Sequence, residues 1–156
     1  MKIEPFKFCG KQLGDGHSAY LVGEIGFNHN GDIELAKRMI ASAAENGADA
    51  VKLQTFAAGE MISKTLIADD PDNPGNEIPF YEFFQRYELS RSDYEILFAY
   101  AKTLNIPLFS TPFDEASLEM LVELGTPAIK IASPDLTYLP FLKKVAETAL
   151  PVVLSS

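Results

Sequence analysis

Short apolar stretches alternate with amphipathic helical patterns along this chain, and no other feature limits its fold as strongly. Residues 19–26, 50–56, 107–110, 128–132 and 151–154 are apolar and partly β-branched, as buried strands are. Between them, apolar positions recur at helical spacing. The sets are Ala36, Met39, Ile40 and Ala43; Tyr94, Leu97, Phe98, Ala101 and Leu104; Leu118, Leu121 and Val122; and Leu142, Val145 and Ala146. Strands joined through helices form a parallel sheet. Five strands and four helices that end on an uncovered strand read as the first part of a (β/α)8 TIM barrel, a fold of about 250 residues. This chain has 156. Residues 1–156 are therefore expected to form a single domain, the N-terminal portion of such a barrel, without its remaining strands. No G-x-G-x-x-G follows any strand, which argues against a dinucleotide fold.

Punctuation between the elements is equally specific. Phe6-Lys7-Phe8-Cys9 and Gln12-Leu13, on either side of Gly10-Lys11, predict a small N-terminal hairpin. Asp32 and Asp114 are placed to cap helices that Gly47 and Gly125 end. Ser92 and Glu95 have capping-box spacing. Residues 57–79, with Asp69-Asp70-Pro71-Asp72-Asn73-Pro74-Gly75, read as a solvated loop or lid. A calcium loop is excluded there, because Pro74 takes a ligand position and no glutamate closes the loop. An aromatic run over 80–87 predicts a short helix, and its Tyr81, Phe83, Phe84 and Tyr87 suit core or interface better than sugar stacking.

Several function classes fall away. The net charge is −9 with no basic stripe, which opposes a nucleic-acid partner. No apolar run approaches the ~20 residues of a membrane span, and residues 1–5 do not read as a signal peptide. One cysteine, Cys9, cannot form an internal disulfide and suits a reducing cytoplasm, where it is expected to act as a small apolar residue. His17 and His29 lie apart with no acidic ligand motif beside either, so no metal site is proposed within the chain; His29 is expected to hydrogen-bond its own loop.

The chemistry concentrates in the strand over 50–56. Alternation sends Val51, Leu53 and Thr55 to one face and Ala50, Lys52 and Gln54 to the other. A buried ammonium demands an anionic partner. Barrel enzymes work at the C-terminal ends of their strands. Read in order, those ends supply Glu24, Lys52 and Gln54, Ser110 and Thr111, Lys130 and Ser133, and Ser155. Two inward lysines among hydroxyls fit a phosphate. Against this stands a structural role, with Lys52 and Lys130 paired to Glu24 and Asp135; a Schiff-base lysine is a third reading. Glu24 is either a lysine partner or a group that binds sugar hydroxyls or handles a proton.

Glu24-Ile25-Gly26-Phe27-Asn28-His29-Asn30-Gly31-Asp32 resembles the first-strand motif of the sialic acid synthase family. Residues 47–56, ending Val51-Lys52-Leu53-Gln54-Thr55-Phe56, are similar to its second motif. Phe109-Ser110-Thr111-Pro112-Phe113-Asp114 and Lys130-Ile131-Ala132-Ser133 resemble the third and fourth. The resemblance implies a (β/α)8 barrel followed by an antifreeze-like domain that caps the neighbouring active site in a homodimer. It implies condensation of phosphoenolpyruvate with an N-acetylated aminosugar such as N-acetylmannosamine, in surface polysaccharide biosynthesis. A divalent metal, manganese or magnesium, is expected in the complete enzyme, with its histidine ligands outside this chain. Lys52, Thr111, Lys130 and Ser133 are expected to grip the phosphate, Gln54 and Ser155 to orient substrate, and Glu24 to meet the sugar or the reacting centre. Asp135 stands where the sugar is read, after Pro134, where relatives often have glycine and glutamate. Precursors of legionaminic or pseudaminic acid therefore remain open. The chain alone is not expected to turn over. Other readings are another phosphoenolpyruvate-using barrel synthase and a non-catalytic barrel that binds a phosphorylated ligand.

Overall fold

A computed structural model describes residues 4–155. Strands β3 (Val22–Gly26), β4 (Ala50–Thr55), β7 (Leu108–Pro112), β8 (Ile129–Ile131) and β9 (Val152–Leu154) form one sheet in that spatial order. All four neighbouring pairs are parallel. Helices α1 (Ile33–Glu45), α4 (Arg91–Thr103), α5 (Glu115–Glu123) and α6 (Leu139–Glu147) make the crossovers. The architecture is a partial (β/α)8 barrel.

Alternation separates the faces of the sheet. Val51, Leu53, Leu108, Ile129 and Ile131 pack in one core with Ile40, Leu97, Leu118, Leu121, Phe141 and Val145 from the helices. On the other face, Ala50, Phe109 and Ala128 meet Phe8 of the N-terminal hairpin, β1 (Phe6–Phe8) and β2 (Lys11–Leu13). Phe8 stands edge-on to Tyr20 and Phe109, with ring centroids at 5.1 and 6.0 Å. The hairpin thus plugs the inner face. Its turn is Cys9-Gly10, with φ of 44° and 87°, rather than Gly10-Lys11. Positive φ at both positions is the type I′ turn, one of the two that suit a two-residue hairpin, and Cys9 accepts that strain in place of a second glycine. Cys9 is half-buried and packs beside the plug, as an apolar residue would.

The helix starts and stops show which local signals prevail. Asp32 caps α1 through the N–H groups of Glu34 and Leu35, and Asp114 caps α5 through that of Ser117. The capping box of α4 is Ser90 with Asp93, not Ser92 with Glu95. Ser90 has the extended backbone a cap requires, whereas Ser92 is already helical; Leu89 before it and Tyr94 within it both join the core. The first strand begins at Val22, not at residue 19. Val122, read as inward, is 40% exposed. Residues 57–79, read as a solvated loop or lid, carry secondary structure of their own: α2 (Ala58–Met61), then β5 (Ile67–Asp69) paired with β6 (Glu77–Pro79), leading into α3 (Phe80–Tyr87).

One ion pair ties the plug to the sheet. Lys11 Nζ donates to Asp49 at 2.7 Å and to the Ala19 carbonyl at 3.0 Å, while Asp49 also accepts the Leu21 N–H at 2.8 Å. These donors, Lys11 first, hold the Asp49 carboxyl below its usual range. A depressed folded value means stability present above the unfolded pKa, about 3.9, and lost as pH falls through the folded one. The urea midpoint of the wild type should therefore decline on acidification below about pH 4 more steeply than that of Asp49→Asn. Equal slopes would show that the pair contributes nothing.

Candidate active site at the strand ends

Register explains how the polar residues meet. Glu24 on β3 lies opposite Lys52 on β4, and Gln54 lies opposite Thr111 on β7. Lys52 is 7% exposed, on the face opposite the helix-packed core. Its Nζ contacts Glu24 Oε2 at 2.8 Å and donates to Thr111 Oγ1 at 3.1 Å and to the Leu53 carbonyl at 3.4 Å. Glu24 keeps half of its side chain in the open, so the pair forms the floor of a mouth. The ladder shifts between Glu24 and Gly26, and Gly26 has φ of 58°. A Cβ there would lie 3.2 Å from Glu24 Oε1, 3.7 Å from Gln54 Nε2 and 3.8 Å from Asn28 Nδ2. The absent side chain lets those three groups converge. Asn28 was not foreseen; its place just past a strand end was the signal available.

The second lysine enters from β8. Lys130 Nζ donates to Ser155 Oγ and to the Ile131 carbonyl, both at 2.5 Å. Burial, and then the ammonium of Lys52, push its pKa down, while Glu24 works against both. The two cations therefore feel one another across the mouth. Among the described residues Lys130 has no ion pair, so the salt bridge to Asp135 weighed from the sequence is absent, while the one between Lys52 and Glu24 is present. Asp135 lies in the 3-10 turn Ser133–Thr137 that follows β8. Its Oδ2 is buried without a hydrogen-bond partner, and burial pushes its carboxyl up. Ser133 opens the same turn and is exposed.

Ser110, read as part of the mouth, is not in it. Its Oγ lies 2.6 Å from Thr55 Oγ1 on the helix-facing side, fully buried. Adjacent strand residues face opposite ways, so Thr111 and Ser110 cannot both point inward. His29 serves its loop as expected: Nδ1 accepts the Gly31 N–H at 3.1 Å, and burial pushes its pKa down. Among the described residues no three His, Cys, Asp or Glu side chains could hold a metal ion. The divalent metal that the resemblance implies does not fit these residues, and no step below runs through it. Among the described residues no helix is long and apolar enough to cross a membrane.

Parallel strands, helical crossovers and polar residues gathered at the strand ends define part of a (β/α)8 barrel with a polar mouth. The chain belongs to the NeuB family, whose model matches residues 39–156. It is 38% identical over 148 residues to the N,N'-diacetyllegionaminic acid synthase of Legionella pneumophila, covering 94% of this chain and 42% of that one. It is 40% identical over 139 residues to the enzyme of the same name from Campylobacter jejuni, covering 87% and 41%. The crystal structure of an N-acetylneuraminic acid (sialic acid) synthetase from Leptospira borgpetersenii, in complex with citrate, superposes with a TM-score of 0.84 at 28% identity, covering 98% of this chain and 50% of that one. The chain thus spans about two fifths of the length of these curated relatives.

The mutual effect of the lysines is measurable. Replacing Lys52 by Met removes one neighbouring cation and frees Glu24 to face Lys130. The Lys130 titration, followed by NMR on 13C-methylated lysines, should move up toward the ordinary value of about 10.4. No upward movement would place the two ammonium groups in separate environments.

Proposed function

We propose that this chain supplies the phosphate-gripping side of an enzyme that condenses phosphoenolpyruvate with an N-acetylated aminosugar. The product is a nine-carbon sugar acid of the sialic type, with inorganic phosphate, for surface polysaccharide synthesis. One observation carries the reading: two ammonium groups share a mouth that holds one half-exposed carboxylate, and one of them is held below its usual pKa. A phosphate dianion between them would offset both the burial and the repulsion. The family membership supports the same reaction class.

Lys52, Lys130, Thr111, Ser133 and Ser155 take the phosphate in this account, and Gln54 orients the carbon skeleton. Carbon 3 of phosphoenolpyruvate bonds to the aldehyde carbon of the open sugar, whose oxygen takes a proton and becomes a hydroxyl. Water adds at carbon 2 and gives up a proton, for which Glu24 is the nearest carboxylate. The bond from carbon 2 to the phosphate oxygen then breaks, the new carbon-2 hydroxyl gives its proton to the departing phosphate, and a ketone and free phosphate remain. Asp135, with its unpartnered buried oxygen, is assigned to a hydroxyl or amide N–H of the sugar. A cytoplasmic homodimer is part of the same proposal.

The test is phosphate release by the full-length protein, given phosphoenolpyruvate, manganese and a panel of N-acetylated hexoses. Release that depends on one sugar is expected; no release with any of them would overturn the reading. In the same protein Lys130→Ala should weaken phosphoenolpyruvate about 10- to 100-fold, the worth of one charged hydrogen bond. Unchanged affinity would return Lys130 to a structural role.

A further inference from the structure

The lid carries an ion-pair cluster that the chemistry above does not use. Asp70 is 3% exposed, and it is the one carboxylate among the buried described residues. Its oxygens accept Arg86 Nη1 at 3.2 and 3.1 Å, the Asp72 N–H at 3.0 Å and Asn73 Nδ2 at 3.1 Å. The same Arg86 nitrogen reaches Asp72 Oδ2 at 3.1 Å, and Tyr87 OH donates to Asp72 Oδ1 at 2.6 Å. Backbone bonds close the turn, from Asp70 N–H to the Asn76 carbonyl at 2.7 Å and from Asn73 N–H to the Asp70 carbonyl at 3.0 Å. The turn over residues 70–76 is thus shaped internally and pinned to the end of α3 by one guanidinium nitrogen of Arg86, which reaches both Asp70 and Asp72, and by the Tyr87 hydroxyl on Asp72.

That end of α3 is itself fixed to the strand-end loops. Phe84 meets Phe27 and Phe56 with ring centroids at 6.1 and 5.7 Å, and Tyr87 meets Phe27 at 5.4 Å. Gly31, with φ of 72°, packs so closely on the Arg86 carbonyl that a Cβ would lie 2.5 Å from that oxygen. Phe27 follows Glu24 by three residues, and Phe56 follows Gln54 by two. Arg86 therefore touches the loop beside Glu24 with its backbone and holds the lid turn with its side chain. The pair is buried on the Asp70 side alone, since the Arg86 side chain is 41% exposed; an ion pair so open to water adds little stability, and its use here is to fix geometry.

We propose that Arg86 is a positioning residue that latches the 70–76 turn over the Glu24 and Gln54 side of the mouth and so sets the affinity for the second substrate. The inference rests on the condensation reading above, with phosphoenolpyruvate on the Lys52 and Lys130 side and the aminosugar beside Glu24. The latch acts on the sugar because α3 docks on the loops after β3 and β4, away from Lys130 and Ser155.

The experiment is steady-state kinetics of the full-length protein. Arg86→Met should raise KM for the aminosugar about tenfold, with KM for phosphoenolpyruvate unmoved within about twofold. Arg86→Lys should restore most of it, because a single nitrogen makes every side-chain contact. Arg91→Ala, which breaks exposed ion pairs to Glu95 and Glu123, should change neither constant. If Arg86→Met does not fold, Asp72→Asn carries the same expectation. A wild type that releases phosphate, with both constants raised together, neither raised, or no rescue by lysine, overturns the latch alone. A wild type that releases none overturns the condensation reading and the latch with it.

Discussion

Lys52 is the constraint on which the rest depends. A strand inside a sheet has no easy place for an ammonium, yet this one is 7% exposed. The parallel register makes it tolerable, with Glu24 from one neighbouring strand at 2.8 Å and Thr111 from the other at 3.1 Å. That arrangement requires β3, β4 and β7 to be adjacent and in register. The register in turn requires the helical crossovers, and the apolar helix-facing side of the sheet secures them. The hairpin plug closes the inner face below, so that the polar residues are left only at the strand ends.

Period-two alternation made much of the site legible in the sequence. It put Lys52 and Gln54 opposite Val51 and Leu53, and Lys130 opposite Ile129 and Ile131, as the structure has them. The succession of strands and helices gave the parallel sheet, and turn and cap residues gave the hairpin and the two aspartate caps. What alternation could not give was phase at a strand end. Ser110 and Thr111 are both small hydroxyl residues, and only the pairing of Thr111 with Gln54 and of Ser110 with Leu53 decides which faces the mouth. Ser90 and Ser92 posed the same problem one helix earlier, since each precedes an acid by three residues and backbone geometry chooses between them.

The lid was the least legible part. Its prolines, aspartates and glycine follow no period, so the segment reads as a solvated loop or lid with no elements of its own. Its order comes from contacts between residues far apart in sequence, above all Arg86 with Asp70 and Asp72, and from rings on Phe27, Phe56 and Phe84. Lys130 and Ser155 were both read into the mouth, but their direct bond was not: β9 runs beside β8 and brings that hydroxyl to the lysine, while Asp135, its partner in the structural reading, does not reach it.

The central claim is that the paired lysines exist to hold a phosphate. A crystal structure of the full-length protein with phosphoenolpyruvate tests it most directly. The phosphorus should lie between the two ammonium groups, with each donating to a phosphate oxygen and Lys130 drawn away from Ser155 or sharing it. Phosphoenolpyruvate bound elsewhere, with Lys52 still on Glu24 and Thr111 and Lys130 still on Ser155, would make the lysines structural and contradict the account.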